Sequence, residues 1–316
     1  MSEYFYFVER MVQVGGDYRL WVEDRGNPEA TPLLLIMGAN ASGLAWPESL
    51  VDRLTERHRV VRYDHRDTGR STSAFDTHPY AVRDLAEDAL AVLDAVHIDR
   101  AHVVGMSLGG ILVQLLLLDY PHRLRSATVF ATCALGVGLA DPTGQSGIDL
   151  PEPDPRLLAL WQHLADERDR AAEIDWRVEH WRILNGTVLP FDAEEFRELE
   201  ERIIAHSGTV HNPAAHARAD PSGLNRAGEL ARVQVPTHVI EAPEDPINPP
   251  PHATHLAATL GGARLTTIPG MGHALNSRII QPLAETILKF TGEVDKPEQA
   301  RPTFHSAFDH ERSPNP

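Results

Sequence analysis

Apolar positions in this chain follow two alternating rhythms. A short unbroken apolar run, as at 33–37, reads as a strand buried on both faces. Longer segments carry an apolar stripe at helical spacing. The clearest is 80–96, where Val82, Leu85, Ala86, Ala89, Leu90 and Leu93 share one face and charges fill the other. The chain opens with a hairpin, 12–14 and 18–22, around the turn Gly15-Gly16-Asp17. Strands are then predicted at 33–37, 59–63, 103–106, 127–131, 237–241 and 264–268, and helices at 47–56, 80–96, 111–119, 252–260 and 279–290.

The alternation is broken once. Between about 136 and 228 lie a proline-rich stretch, 149–155, and three amphipathic segments, 157–165, 171–184 and 193–205, which read as helices. Strand–helix alternation interrupted by a helical block implies an α/β core carrying an inserted cap. The expected division is a core in two parts, 1–135 and 228–293, a helical cap over 136–227, and a polar, proline-bearing tail over 294–316 that reads as disordered. A chain of 316 residues has ample length for such a core.

Composition narrows the classes. A net charge of −16 argues against a nucleic-acid partner, because phosphate binding needs clustered Lys and Arg. The arginines are scattered among carboxylates, as in Asp64-His65-Arg66-Asp67, which reads as a solvated, solubilising surface. Cys133 is the only cysteine, so no intramolecular disulfide can form, and it reads as a small buried thiol. The first residues show no basic and apolar leader pattern, and no apolar run approaches the length of a bilayer span. A cytoplasmic protein without a membrane partner is expected.

The chemistry concentrates at Gly105-Met106-Ser107-Leu108-Gly109, a Gly-x-Ser-x-Gly turn between an apolar strand and a helix. Such a turn pushes a serine oxygen out of the sheet as a nucleophile. The stretch fits neither a dinucleotide-binding glycine pattern nor a phosphate loop. A serine needs a base, and the base an orienting acid, in chain order Ser, Asp or Glu, His. The strand 237–241 delivers Ala242-Pro243-Glu244-Asp245-Pro246, and the next delivers Pro269-Gly270-Met271-Gly272-His273. Asp245 is favoured over its neighbour Glu244 because a shorter arm suits a buried acid, and His273 is the expected base. The oxyanion hole should use the N–H of Leu108 and one from the loop Met37-Gly38-Ala39-Asn40, with Ala39 as the donor. No cofactor is required, and no metal site is expected. His206, His211 and His216 recur every five residues, which does not align ligands on one helical face, and His252 with His255 has no third ligand nearby. Trp161, Trp176 and Trp181 in the cap either line a flat apolar cavity or pack the cap itself.

These residues together resemble the α/β-hydrolase superfamily. Three segments, Arg62-Tyr63-Asp64-His65-Arg66-Asp67-Thr68-Gly69-Arg70-Ser71, Trp181-Arg182-Ile183-Leu184-Asn185-Gly186-Thr187 and Pro269-Gly270-Met271-Gly272-His273-Ala274-Leu275, look like the aclacinomycin methylesterases. The resemblance implies an eight-stranded, mostly parallel sheet with helices on both faces. It also implies a Ser107–Asp245–His273 triad, oxyanion donors Ala39 and Leu108, and hydrolysis of a methyl ester on an aromatic polyketide. The elbow's Leu108-Gly109-Gly110 and the segment 136–155 depart from that family's pattern. The expected substrate is a small apolar ester. Hydrolysis of a C–C bond or a lactone on the same triad, or non-catalytic binding of a small molecule, are the alternatives.

Overall fold

The computed structural model describes residues 6–141, 147–164, 166–211 and 213–296. Eight strands form one sheet: β1 (Tyr6–Gln13), β2 (Arg19–Gly26), β3 (Pro32–Ile36), β4 (Arg59–Tyr63), β5 (Ala101–Met106), β6 (Leu124–Phe130), β7 (Thr237–Glu241) and β8 (Arg264–Thr267). Their spatial order is β1-β2-β4-β3-β5-β6-β7-β8. Pairing is antiparallel from β1 through β2 to β4 and parallel everywhere else.

The helices are α1 (Glu48–Thr55), α2 (Val82–Ala95), α3 (Leu108–Asp119), α4 (Pro155–Trp161), α5 (Arg170–Leu184), α6 (Ala193–Ser207), α7 (Ala227–Leu230), α8 (His252–Thr259) and α9 (Ser277–Val294). The sheet divides the core into two layers, and β3 shows why its sequence is continuously apolar. Leu34 and Ile36 pack with α2 and α3, whereas Leu33 and Leu35 pack with α1 and α9. Side chains alternate across a strand, so both faces need apolar residues when both are covered. Among the described residues no helix is long and apolar enough to cross a membrane.

Helices α4, α5 and α6 lie between β6 and β7 in the chain, and each begins at an aspartate. Asp154, Asp169 and Asp192 accept backbone N–H groups of the first turns, replacing partners that a helix start lacks.

Several expectations need correction. The first strand begins at Tyr6, not 12, because β1 is an edge strand whose faces are both partly exposed, so Glu9 and Arg10 hide its alternation. Helix α4 ends at Trp161 rather than running to 165. Order continues past 294: Asp295 caps α9 and accepts a hydrogen bond from His102 on β5, and the expected disorder of 297–316 lies outside the described residues. Finally, Asp64-His65-Arg66 is not solvated surface. Asp64 and His65 are fully buried, and Arg66 forms a buried two-point ion pair with Asp88 of α2. The segment follows β4 at the end where the parallel strands converge on a cavity, and pairing offsets the cost of burying its charges.

Candidate active site

Strand register sets the site. Ile36 lies opposite Gly105, Met106 opposite Phe130, Phe130 opposite Ile240, and Glu241 opposite Thr267. The carboxyl ends of β3, β5, β6, β7 and β8 therefore form one row, and the loops beyond them carry the residues singled out by sequence.

Ser107 sits between β5 and α3 with φ 55° and ψ −121°, a conformation that side-chain-bearing residues rarely adopt. Its backbone is pinned on every side. Its N–H donates to Phe130 O at 3.1 Å, and its carbonyl accepts from Thr132 Oγ1 at 2.9 Å and from the N–H groups of Gly110 and Ile111. The bend demands glycine beside it: a Cβ on Gly109 would lie 2.1 Å from Ile36 O, and one on Gly105 2.3 Å from Gly109 O.

His273 Nδ1 lies 2.9 and 3.0 Å from the two oxygens of Asp245. Asp245 is buried and its Oδ1 also accepts the N–H groups of Ile247 and Asn248, which fix the carboxylate. A carboxylate can only accept, so Nδ1 carries the proton and Nε2 is left free as a base. Glu244 points elsewhere, its carboxylate taking Thr187 N and Oγ1. The cap steadies the histidine loop, since Leu184 O at the end of α5 accepts from both His273 N and Ala274 N.

Ser107 and His273 line one cavity of about 1370 Å³, and no hydrogen bond joins their side chains. Catalytic contacts in unliganded sites are often long and tighten only with substrate bound. Ala39 and Leu108 also line this cavity, and neither backbone N–H has an acceptor among the described residues. Gly38 lets the loop approach, since a Cβ there would stand 3.2 Å from Ser107 Cβ.

Sequence reasoning missed what holds that loop. His216, in the return segment from cap to core, accepts the Asn40 N–H on Nδ1 at 2.8 Å and donates Nε2–H to Arg66 O at 2.9 Å. Its own N–H donates back to Asn40 Oδ1 at 3.1 Å. His65 Nε2 donates to Met37 O at 2.9 Å. Both rings are neutral: burial lowers the pKa of His65, and burial with the neighbouring His65 pushes His216 down to about 3. Beneath the loop, Asp64 gathers four donors, Ser42 Oγ, Gly43 N, Arg70 N and His206 Nε2, at 2.6 to 2.8 Å. Asp64-His65 directly follows a strand in the row whose loops line the cavity, a signal legible in the sequence. The partnership of Asn40 with His216, 176 positions apart, has no local signature.

Three of the five histidines at candidate metal-ligand positions have other partners: His206 serves Asp64, His216 the loop, and His252 Nε2 bonds Pro151 O. Among the described residues no group of three metal-ligating side chains gathers. Burial pushes the Cys133 thiol up to about 11, so the sulfur is protonated at neutral pH. Of the three cap tryptophans, Trp161 and Trp181 line the cavity and Trp176 does not. Trp176 lies instead under the Arg168 guanidinium, 4.6 Å from its ring centre, and packs against the His180 ring one turn along α5.

Comparison with known proteins agrees with this architecture. Residues 31–277 match the family described as the alpha/beta hydrolase fold. Rhodomycin D methylesterase of Streptomyces peucetius is 45% identical over 281 residues, spanning 86% of this chain and 94% of that protein. The enzyme of the same name from Streptomyces sp. strain C5 matches equally, at 45% over 281 residues, with 86% and 94% covered. A solved hydrolase from Pseudomonas aeruginosa PA01 superposes with a TM-score of 0.67 at 27% identity, covering 92% of this chain and 100% of that one. With its sheet order, its serine turn and these matches, the chain belongs to the α/β-hydrolase fold family.

Proposed function

We propose that this protein is a cofactor-independent serine hydrolase of carboxylic esters that removes methanol from the methyl ester of a bulky aromatic polyketide acid. One observation carries the reading. Ser107, an imidazole oriented by buried Asp245, and two N–H groups without acceptors among the described residues meet at a single cavity.

On this reading His273 Nε2 takes the Ser107 proton as Oγ attacks the ester carbonyl. The carbonyl oxygen, now an oxyanion, is held by the N–H groups of Ala39 and Leu108. His273 then protonates the departing methoxide, and methanol leaves. Water, deprotonated by the same imidazole, attacks the acyl-enzyme. The acid is released and Ser107 regains its proton. Asp245 keeps the imidazole in its working tautomer and stabilises the imidazolium formed in between.

The methyl ester is supported by the name of the two Streptomyces relatives, the bulky acyl group by the cavity. At about 1370 Å³ the cavity exceeds the ~300–1,000 Å³ usual for small-ligand sites. The cytoplasm is the expected place of action.

A panel of methyl esters graded by acyl size tests the proposal. Efficiency should climb towards fused-ring acids, because contacts far from the reacting bond are spent on the transition state. Ser107→Ala should lose activity on the order of 10⁶-fold in kcat. Comparable turnover by that variant would overturn the nucleophile, and a maximum at short acyl chains would leave only a general esterase.

A further inference from the structure

The cavity wall contributed by α5 and α6 is polar in an unexpected way. Arg177 and Glu200 are buried there yet wholly committed to each other and to their surroundings. Arg177 donates Nε–H to Glu173 Oε1 at 2.7 Å, an Nη1 proton to Glu200 Oε2 at 3.0 Å and an Nη2 proton to Val210 O at 2.8 Å. Trp181 donates its indole N–H to Glu200 Oε1 at 2.6 Å. This group stiffens the wall and has little left to offer a ligand.

His180 differs. It lines the same cavity, on α5 beside Trp181. Its Nε2 receives the indole N–H of Trp161 at 3.0 Å. An indole nitrogen can only donate, so Nε2 must present its lone pair and the neutral ring must carry its proton on Nδ1. That Nδ1–H has no acceptor among the described residues and is not fully buried, on a residue that lines the cavity. Burial, with the nearby positive charge that His273 can acquire, pushes its pKa down to about 4, so the ring is neutral at pH 7. The tryptophan therefore fixes the tautomer, and the tautomer fixes a donor.

We propose that His180 is a specificity-determining residue whose Nδ1–H recognises an acceptor oxygen, a quinone or ketone carbonyl, on the fused-ring acyl body of the ester. The assignment rests on the ester-hydrolase reading above and deepens it. A bound acyl group of the same shape without that oxygen displaces water from the donor and offers nothing in its place, and sites built to hydrogen-bond a ligand group discriminate strongly against ligands that lack it. A flat apolar slot would select on size alone; this one also selects oxygenated rings. A neutral donor suits the place, since a second cation there would oppose the imidazolium of His273 during turnover.

The test compares methyl anthraquinone-2-carboxylate with methyl anthracene-2-carboxylate, which share a three-ring outline and differ in the ring carbonyls. For the unaltered protein the quinone ester should have a kcat/KM about tenfold higher, the scale of one hydrogen bond. His180→Phe, which keeps an aromatic ring and removes the donor, should bring the ratio to near one. His180→Gln, which retains an N–H for the ligand and an oxygen for Trp161, should restore part of it. Calorimetric binding of both esters to Ser107→Ala, with and without His180→Phe, reads the same preference in the absence of turnover. Failure of the esterase reading would appear as no hydrolysis of either ester by the unaltered protein, while the binding ratio still decides on His180. Equal affinity for the two esters, no binding of either, or a preference that survives His180→Phe in a folded variant would overturn the proposal.

Discussion

At the scale of single residues, the site depends on groups that fix other groups. Asp245 and Glu244 are adjacent, yet only Asp245 reaches His273. Asp245→Asn should lower kcat on the order of 10⁴-fold by disturbing the imidazole tautomer, whereas Glu244→Gln should keep kcat within about tenfold. Steady-state kinetics on one methyl ester decides between them, and a reversed pattern would transfer the acid to Glu244. His216 makes a second case. Its imidazole accepts from Asn40 N–H next to the proposed donor Ala39, and Asn40 is held at φ 57°. His216→Ala removes that anchor while leaving the donor itself in place. Loss of an oxyanion donor outright costs about 10²–10³ in kcat, so its displacement should cost on the order of 10–100-fold with KM little changed. A rise in KM with kcat preserved would assign His216 to ground-state binding instead.

At the scale of elements, the elbow is a joint between β5, α3 and the neighbouring β3. Residue 109 is glycine because the first turn of α3 passes against the β3 carbonyls, with Ile36 O 2.1 Å from where a Cβ would stand. Backbone cannot swing aside as a flexible side chain can. Gly109→Ala should therefore destabilise the fold by roughly 1–3 kcal/mol or more and disturb the 37–40 loop as well. Thermal melting should show a drop of several degrees together with a loss of kcat; an unchanged melting temperature would mean that the joint is looser than its geometry implies. The cap meets the core through a comparable joint. Leu184 O holds the histidine loop, Asn185 Oδ1 accepts from Asn276 Nδ2 at 2.6 Å, and a Cβ on Gly272 would lie 2.4 Å from Asn185 O. The segment Trp181-Arg182-Ile183-Leu184-Asn185-Gly186-Thr187, noted in the sequence for its family likeness, is thus the strap that ties α5 to the proposed base.

Across the whole molecule, buried histidines set the response to acid. Burial is the first cause in each case: His58 and His180 are pushed down to about 4, and His216 and His238 to about 3. The unfolded chain binds these protons near pH 6.5, while the folded chain refuses them until pH 3–4. The unfolded state therefore holds more protons throughout that window. Stability is complete above about pH 6.5 and falls as pH drops through the folded values, by up to ~1.4 kcal/mol per pH unit for each such histidine. Melting temperatures should be level from pH 8 to 7 and decline steadily from pH 6 to 4. A level profile down to pH 4.5 would show that these rings take up protons within the folded protein.

Local patterns in the chain carried the alternation of strands and helices, the interruption between β6 and β7, and the positions of Ser107, Asp245 and His273 at strand ends. Each of these is a local property: a period of apolar residues, a glycine-flanked turn, an acid or a histidine just after a strand. The shorter arm of Asp245 already favoured it over Glu244, and tertiary structure supplied the direction, turning Asp245 to His273 and Glu244 to Thr187. It also decided that Asp64-His65-Arg66 lies inside. A run of charged residues looks solvated until the sheet order, the Asp88 partner on α2 and the His206 partner on α6 are known. It separated Trp161 and Trp181 from Trp176, since the facing of a cap helix depends on what it packs against. Above all it brought Asn40 to His216 and Trp161 to His180. A hydrogen bond between distant segments leaves no periodicity in the chain, and only the closing of cap over core creates it.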